Sequence, residues 1–503
     1  MAFEPKSRRP RYLPNGAAFA KVGSAMIDRT QSRRNFIRTS TLAAGAAATA
    51  GTASLASAQP AKRRPNILYL CSDQQHWEAM GHVDKFFDTP HSDALARESV
   101  VFENAICTTP QCSPSRSSML TGFYPHHTEM MNNSGASGGT NLDLETIGPK
   151  LQRGGYHTGF FGKWHLGNNE LGNAGWDEES KKGPDGKTTE RGSDFIKRHA
   201  KDEKPFALFL MYLDPHDIYH FKPDAKDVSK LGVPLSPSWH GERFENKPGI
   251  HKQFMTENQG AFIWGKPQPV WEQYRDFYRE KVRLYDSHIG AVIQTLKDQG
   301  LWEDTIIVNT SDHGDMDTHH KLIFKGPFMY EHMVRIPMTV RVPKSHGGAG
   351  HKQVSDYDWV NVDTVPTLLD LTGLPVPECH GQSAKPIVTG GLRGRKPKRD
   401  YTISQYYGKQ TWVNPIRMIR THELKYNLYI DHGEELYDLK NDPHEITNLA
   451  NNAKFVGRKK ELRDELENWM TAHKDPFHTF KNTPLKKDEW KKIQKGSKRR
   501  KKR

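Results

Sequence analysis

Four cysteines in a chain of 503 residues are too few for a disulfide framework, so a buried core rather than covalent staples must hold the fold. No apolar run approaches the roughly 20 residues needed to cross a bilayer, and the mean hydropathy is −0.79. No internal repeat recurs along the chain. Acidic residues are in deficit, 59 against 73 Lys and Arg, for a net charge of +14. That excess sits at the ends. Residues 1–58 carry a net +7 and residues 486–503 a net +9; subtracting both from +14 leaves −2 for residues 59–485. The folded body is therefore near neutral, and the basicity does not mark it as a nucleic-acid binder. The length suffices for one large domain and a smaller one.

The two ends read as addresses rather than fold. Ser32-Arg33-Arg34-Asn35-Phe36-Ile37-Arg38 is a twin-arginine pattern. It leads into a weakly apolar stretch from Thr39 to Ala53 and a small-x-small cleavage site at Ala56-Ser57-Ala58. Residues 1–58 are thus expected to be an export signal, with Met26 a candidate true start, and the product periplasmic or extracellular. Nucleic acid is then an unexpected partner. The tail Lys498-Arg499-Arg500-Lys501-Lys502-Arg503, within residues 481–503, is expected to be a basic, disordered extension suited to contact with a polyanion.

Between the ends, three apolar runs finish in metal- or proton-capable groups. Asn66–Cys71 runs into Ser72-Asp73-Gln74, Phe206–Leu213 into Asp214-Pro215-His216, and Thr305–Thr310 into Ser311-Asp312-His313-Gly314. Each reads as a buried strand whose carboxyl end delivers polar groups, where ligands collect in open α/β sheets. Helical patterns lie between them at Leu144–Arg153, Trp271–Gln299 and Asn361–Leu371. The alternation predicts an α/β fold with a large mixed, mostly parallel sheet flanked by helices. A Gly/Arg/Lys/Pro-rich linker at residues 390–399 separates residues 59–395 from residues 396–480. The latter show four short strand patterns (Tyr401–Tyr406, Ile416–Thr421, Tyr426–Tyr429, Glu434–Leu439) and a helix over Phe455–His473, predicting a small antiparallel sheet plus helix. Residues 181–189 and 221–270 are rich in turn formers and are expected to be loops over the site.

The most specific stretch is Cys112-Ser113-Pro114-Ser115-Arg116. Locally it predicts a helix with Ser113 as N-cap, Pro114 at the first position and Gly122 as the stop. Cys112 then lies at the positive end of the helix dipole, with the Arg116 guanidinium nearby. Asp73, Gln74, Asp312 and His313 together offer two carboxylates, an amide oxygen and an imidazole to a divalent cation. Lys163 and His165, at i and i+2 in Gly162-Lys163-Trp164-His165-Leu166-Gly167, fall on one face if that segment is extended. Lys325 lies twelve residues past His313.

The pentapeptide resembles the Cys-x-Pro-Ser-Arg motif of the formylglycine-dependent sulfatases, in the alkaline phosphatase-like superfamily. The other motifs fall in the family's order, over about residues 65–475. The resemblance implies that a maturation enzyme oxidises Cys112 to formylglycine (3-oxoalanine). It also implies one divalent metal held by Asp73, Gln74, Asp312, His313 and the modified Cys112. Many relatives have Asp where this chain has Gln74 and Asn where it has His313, although both variants occur in the family. Calcium is the family's default, and manganese and magnesium stay open. By the same resemblance Lys163, His216 and Lys325 grip the substrate, His216 protonates the leaving alcohol and His165 serves as base. Arg116 fixes the aldehyde hydrate.

A sulfate monoester is an anion that repels nucleophiles, so its hydrolysis needs neutralised charge and a pre-placed attacker. In the family, one hydroxyl of the hydrate attacks sulfur and the other expels sulfate by collapse to the aldehyde. The resulting expectation is an exported hydrolase of sulfated carbohydrate. Two alternatives stand beside it: a phosphonate or phosphate ester hydrolase of the same superfamily, and a non-catalytic polyanion-binding protein working through its basic tail. If Cys112 is modified, Cys71, Cys107 and Cys379 remain, and one bridge among them stays open.

Overall fold

The computed structural model describes residues 63–137, 139–167, 175–180, 183–224, 231–390 and 399–486. The twin-arginine segment, most of the 390–399 linker and the tail beyond residue 486 lie outside the described residues. Among the described residues ten strands precede the C-terminal sheet: β1 (Asn66–Asp73), β2 (Val100–Phe102), β3 (Ala105–Ile106), β4 (His157–Gly162), β5 (Glu178–Ser180), β6 (Phe206–Pro215), β7 (Thr305–Ser311), β8 (Met338–Arg341), β9 (Lys352–Val354) and β10 (Trp359–Val360). Eight of them form one sheet in the order β5-β4-β6-β1-β7-β8-β2-β9, while β3 pairs with β10. This is the mixed, mostly parallel sheet that the alternation predicted.

β1 is the central strand. It runs parallel to β6 on one side (Leu68 opposite Leu208) and to β7 on the other (Leu68 opposite Ile307). All eight of its residues are buried, as expected of a strand covered on both faces. The pleat sends Ile67, Tyr69 and Cys71 into one core with Met119, Leu151 and Leu368. It sends Leu68 and Leu70 into the other, with Phe195, Tyr285 and Val292. The second core is roofed by two helices, Asp185–His199 and the long Gln268–Asp298. Four adjacent parallel strands, β4, β6, β1 and β7, therefore end on the same edge of the sheet.

Beyond residue 399 the chain forms an antiparallel meander, β11 (Thr402–Lys409), β12 (Trp412–Arg420), β13 (Leu424–Tyr429) and β14 (Glu434–Asp438). The helix Val456–Ala472 packs Leu462, Leu466 and Trp469 against Ile403, Ile419 and Tyr426 of this sheet. A buried ionic knot secures it to the large sheet's surroundings. Arg420 on β12 donates to Glu331 at 2.9 and 3.0 Å, and Lys425 on β13 reaches the same carboxylate at 3.2 Å.

Three local expectations are corrected. Ser113 is not the N-cap: the helix runs Cys112–Thr121 with Gln111 at the cap, and the Ser113 hydroxyl instead accepts from the Ser134 N–H at 3.0 Å. Residues 185–189 are not a loop but the start of the helix Asp185–His199. Its first carboxylate accepts the N–H groups of Leu213 and Asp214, both at 2.8 Å, so the end of β6 fixes where it begins. The 221–270 stretch contains two short helices, Pro237–Gly241 and Gly249–Glu257. Ile250, Phe254 and Met255 turn into the core there, a helical spacing that the surrounding turn formers masked. No cysteine pair is bridged: Cys71, Cys107, Cys112 and Cys379 are all free.

Candidate active site

The common edge of the four parallel strands assembles the site. β1 ends in Asp73 and leads to Gln74, which sits in the left-handed region at φ 71°. β7 leads to Asp312 and His313, and β6 to His216 in a short 3-10 turn. β4 stops at Gly162, which only glycine can occupy: its φ is 105°, and a Cβ there would lie 2.0 Å from the Met211 carbonyl oxygen. That turn throws Lys163 and His165 over the edge. The segment is not extended, since His165 is at φ 58°. Both side chains nevertheless reach Cys112, while Trp164 anchors the loop in the core.

Cys112 opens its helix at the centre of this ring. The thiol sulfur is 2.9 Å from Lys325 Nζ, 3.2 Å from His313 Nε2, 3.6 Å from Asp73 Oδ1 and 3.6 Å from Lys163 Nζ. His165 and His216 also interact electrostatically with the same residue. Burial pushes the thiol pKa up, but Lys163, Lys325 and His313 outweigh it and hold the thiol well below its ordinary value.

The two carboxylates are bound into one unit. Arg116 donates through Nε to Asp312 Oδ2 at 2.8 Å, through Nη2 to Asp73 Oδ2 at 3.2 Å and through Nη1 to the Lys163 carbonyl at 2.7 Å. These bonds commit its guanidinium to bracing the carboxylate pair. Burial and Cys112 push Asp73 up, but Lys163, His216 and Arg116 prevail and hold it far below the usual range. Asp312 moves the other way, raised by burial and then by the Asp73 charge beside it. Burial lowers His313 while Asp312 raises it, with a net rise. Burial, followed by Lys163, takes His216 down to about 4.

Whether these residues suit a cation follows from their donors. Asp73, Cys112, Asp312 and His313 each present one ligand atom, all within 4.8 Å of one another and all buried. His313 commits Nδ1–H to the Gly314 carbonyl at 2.9 Å, so Nε2 is the nitrogen turned inward, available to a cation. Gln74 is oriented too. Its Nε2 donates to Asp315 Oδ2 at 2.5 Å, which leaves Oε1 facing Lys325 Nζ at 2.8 Å. Two buried carboxylates, an amide oxygen and an inward imidazole nitrogen form a donor set that fits a divalent cation.

Four contributors escaped the sequence reading. Asp315 lies in the same Asp-His-Gly-Asp run and sets the Gln74 amide. Tyr219 stacks on Phe324 with ring centroids 4.1 Å apart. Asn361 donates to Ser115 Oγ at 2.7 Å and to the Asp312 carbonyl at 3.2 Å. Lys409, at the end of β11, reaches over from the C-terminal sheet. Its Nζ donates to the Lys325 carbonyl and lies 3.3 Å from Tyr219 Oη. Burial and then Lys325 hold its ammonium well below the ordinary lysine value. Only the Asp315 spacing carried a signal in the chain; Lys409 sits in a segment that reads as an ordinary edge of a small sheet.

The family profile described as Sulfatase matches residues 65–374, and one described as N-sulphoglucosamine sulphohydrolase, C-terminal, matches residues 319–472. An N-acetylglucosamine-6-O-sulfatase of Bacteroides thetaiotaomicron is 27% identical over 513 residues, spanning 85% of this chain and 90% of the relative. A solved 2-O GAG sulfatase superposes with a TM-score of 0.73 at 24% identity, covering 84% of this chain and 95% of its own. A phosphonate monoester hydrolase of Agrobacterium radiobacter shares the fold at a TM-score of 0.65 and 22% identity, covering 84% and 99%.

Proposed function

The chain belongs to the sulfatase family, a family of sulfuric ester hydrolases, and from that premise we propose that it desulfates a sulfated saccharide with residue 112 as a formylglycine nucleophile. The convergence on Cys112 carries this reading: two ammonium groups, three imidazoles and a carboxylate surround one sulfur at the mouth of a helix. The carbohydrate class rests on the similarity to the N-acetylglucosamine-6-O-sulfatase.

Once oxidised and hydrated, residue 112 supplies one hydroxyl to attack sulfur and a second whose collapse to the aldehyde releases sulfate. A divalent cation, calcium by family default, held by Asp73, Gln74, Asp312, His313 and residue 112, would supply charge neutralisation and acidify that hydroxyl. The chain's own groups do the rest. Lys163 and Lys325 bind sulfate oxygens and offset their charge. Arg116 keeps the Asp73–Asp312 pair in register. Asp312, its pKa held above the ordinary value, takes the proton of the attacking hydroxyl. His216 protonates the leaving alcohol once the bound sulfate offsets the Lys163 and Lys325 charges that depress it, and His165 takes the proton that triggers collapse. Lys409 braces Lys325 from the C-terminal sheet through the Lys325 carbonyl.

We place this chemistry outside the cytoplasm, with the twin-arginine segment in residues 1–58 as the export signal. Among the described residues, no helix is long and apolar enough to cross a membrane.

Mass spectrometry of the peptide containing Cys112, from protein made in its native host, tests the reading. The expected product has lost one sulfur and two hydrogens and gained one oxygen; an unmodified thiol overturns it. The Asp312-His313 pair also occurs in phosphonate and phosphate ester hydrolases of this superfamily, so nitrophenyl sulfate should be compared with its phosphate and phosphonate analogues. Turnover of the phosphorus esters alone would replace the sulfatase reading with that one.

A further inference from the structure

A second knot of imidazoles lies beside the Gln74 loop. His76, Glu78 and His332 each present a donor atom, and these atoms lie within 4.8 Å of one another. His319 joins them: its Nε2 is 3.7 Å from Glu78 Oε2, and its ring stacks on His332 with centroids 3.3 Å apart. All three imidazoles are buried. The Glu78 side chain is 22% exposed, which leaves an approach from solvent.

Hydrogen bonding alone does not satisfy this knot. His332 Nε2 meets Glu78 Oε2 at 2.8 Å, yet His76 Nδ1, His319 Nε2 and His332 Nδ1 are buried with no hydrogen-bond partner. Each such group costs about 1–3 kcal/mol when left unmade, so three in one place call for a ligand. Two of the rings are also held at their other nitrogen, as metal-binding imidazoles are. His76 Nε2 faces Asp317 Oδ2 at 3.4 Å, and that oxygen also accepts from Arg275 Nε at 3.2 Å. His319 Nδ1 faces Ser238 Oγ at 3.4 Å.

We propose that His76, Glu78, His319 and His332 form a second cation site, for a divalent transition metal of the zinc class. Imidazole nitrogens with one carboxylate suit such an ion, whereas calcium and magnesium prefer all-oxygen shells. Ligation at about 2.0–2.2 Å requires the His319 and His332 rings to unstack so that their nitrogens converge on one ion.

The site acts as a clip. It joins the segment after β1 to the segment after β7, and both to the short helix Glu331–Val334. These segments also position the first site. The His76 N–H donates to Tyr278 Oη at 3.2 Å, and that hydroxyl donates to the Gln74 carbonyl at 2.8 Å. The Asp317 N–H donates to Asp315 Oδ1 at 2.7 Å, and Asp315 holds the Gln74 amide. The four residues are therefore positioning residues, and their assignment does not depend on the reaction catalysed.

The test strips the folded protein with a chelator, exposes it to zinc in calcium-saturated buffer, desalts it and measures metal per chain, with zinc-edge X-ray absorption to identify the ligands. About one tightly held zinc with a nitrogen-rich shell is expected, together with a zinc-dependent rise in thermal midpoint. Glu78→Gln and His332→Ala should each weaken zinc binding by about 10- to 100-fold or more, while Asp312→Asn keeps it. If His332→Ala fails to fold, the nearly isosteric Glu78→Gln decides. Folded parent protein that retains no zinc overturns the proposal. So does zinc that survives unchanged in Glu78→Gln, or zinc lost only in Asp312→Asn.

Discussion

Replacing Lys325 by Met tests the anion grip where the structure makes it tightest. Lys325 is 3% exposed, and its Nζ is 2.9 Å from the residue 112 sulfur, 2.8 Å from Gln74 Oε1 and 3.3 Å from His313 Nε2. Burial disfavours its charge, but Cys112 and Asp73 more than restore it, so its pKa is raised and the ammonium persists at neutral pH. Methionine nearly preserves the volume and removes the charge. A preorganised donor aimed at developing negative charge in a closed site contributes about 2.7–4 kcal/mol, so kcat/KM should fall by about 10²–10³. The fold should suffer less, because the main loss is the donor to Gln74 Oε1, at about 1–3 kcal/mol. The assay is aryl sulfate hydrolysis by protein whose residue 112 conversion has been quantified by mass spectrometry, alongside thermal melting. Lys325→Arg keeps the charge on a longer, planar head and should recover part of the loss. If a fully converted Lys325→Met enzyme turns over substrate as fast as its parent, Lys325 does not grip the sulfate and the proposed constellation is wrong.

The Lys409→Met change removes the brace on the Lys325 carbonyl and should lower kcat/KM by about five- to tenfold, the worth of about 1 kcal/mol of lost hydrogen bonding; a reduced melting temperature with full turnover would make Lys409 purely structural. Arg417 and Asp475 form a two-pronged ion pair at 2.6 and 2.7 Å with both side chains fully buried. Burial raises the Asp475 carboxyl, but Arg417 outweighs it and the net pKa is lowered. The pair's stabilisation is therefore complete above the unfolded carboxyl value of about 3.9 and is lost as pH falls through the lower folded value. Asp475→Asn should cost about 3–5 kcal/mol at neutral pH by stranding the Arg417 charge, with the gap to the parent closing below about pH 4 in denaturant titrations. A gap independent of pH would refute the assignment.

The strand-end grammar was legible because it is local. Apolar runs ending in Asp73-Gln74, Asp312-His313 and Asp214-Pro215-His216 carry their burial and their polar terminus in contiguous sequence, and the C-terminal meander likewise shows in short alternating runs. The capping of the Cys112 helix was misread for a reason of the same kind. Ser113 and Pro114 suit a helix start, but the Ser134 N–H claims the Ser113 hydroxyl from another part of the chain. The helix at Asp185 went unseen because its start depends on the backbone of β6, 28 and 29 residues later.

By itself the sequence determined the chemistry available: a cysteine in its sulfatase-like pentapeptide, two carboxylates behind buried strands, and lysines and histidines spaced along the chain in order. Tertiary structure decided how those groups are used. Parallel pairing of β4, β6, β1 and β7 puts their ends on one edge, so residues as distant as Asp73 and Asp312 share one guanidinium. It also brings Lys409 in from the small sheet and gathers His76, His319 and His332 around Glu78. Such contacts depend on strand order and on desolvation by neighbours far along the chain, and neither quantity is written in any local run of residues.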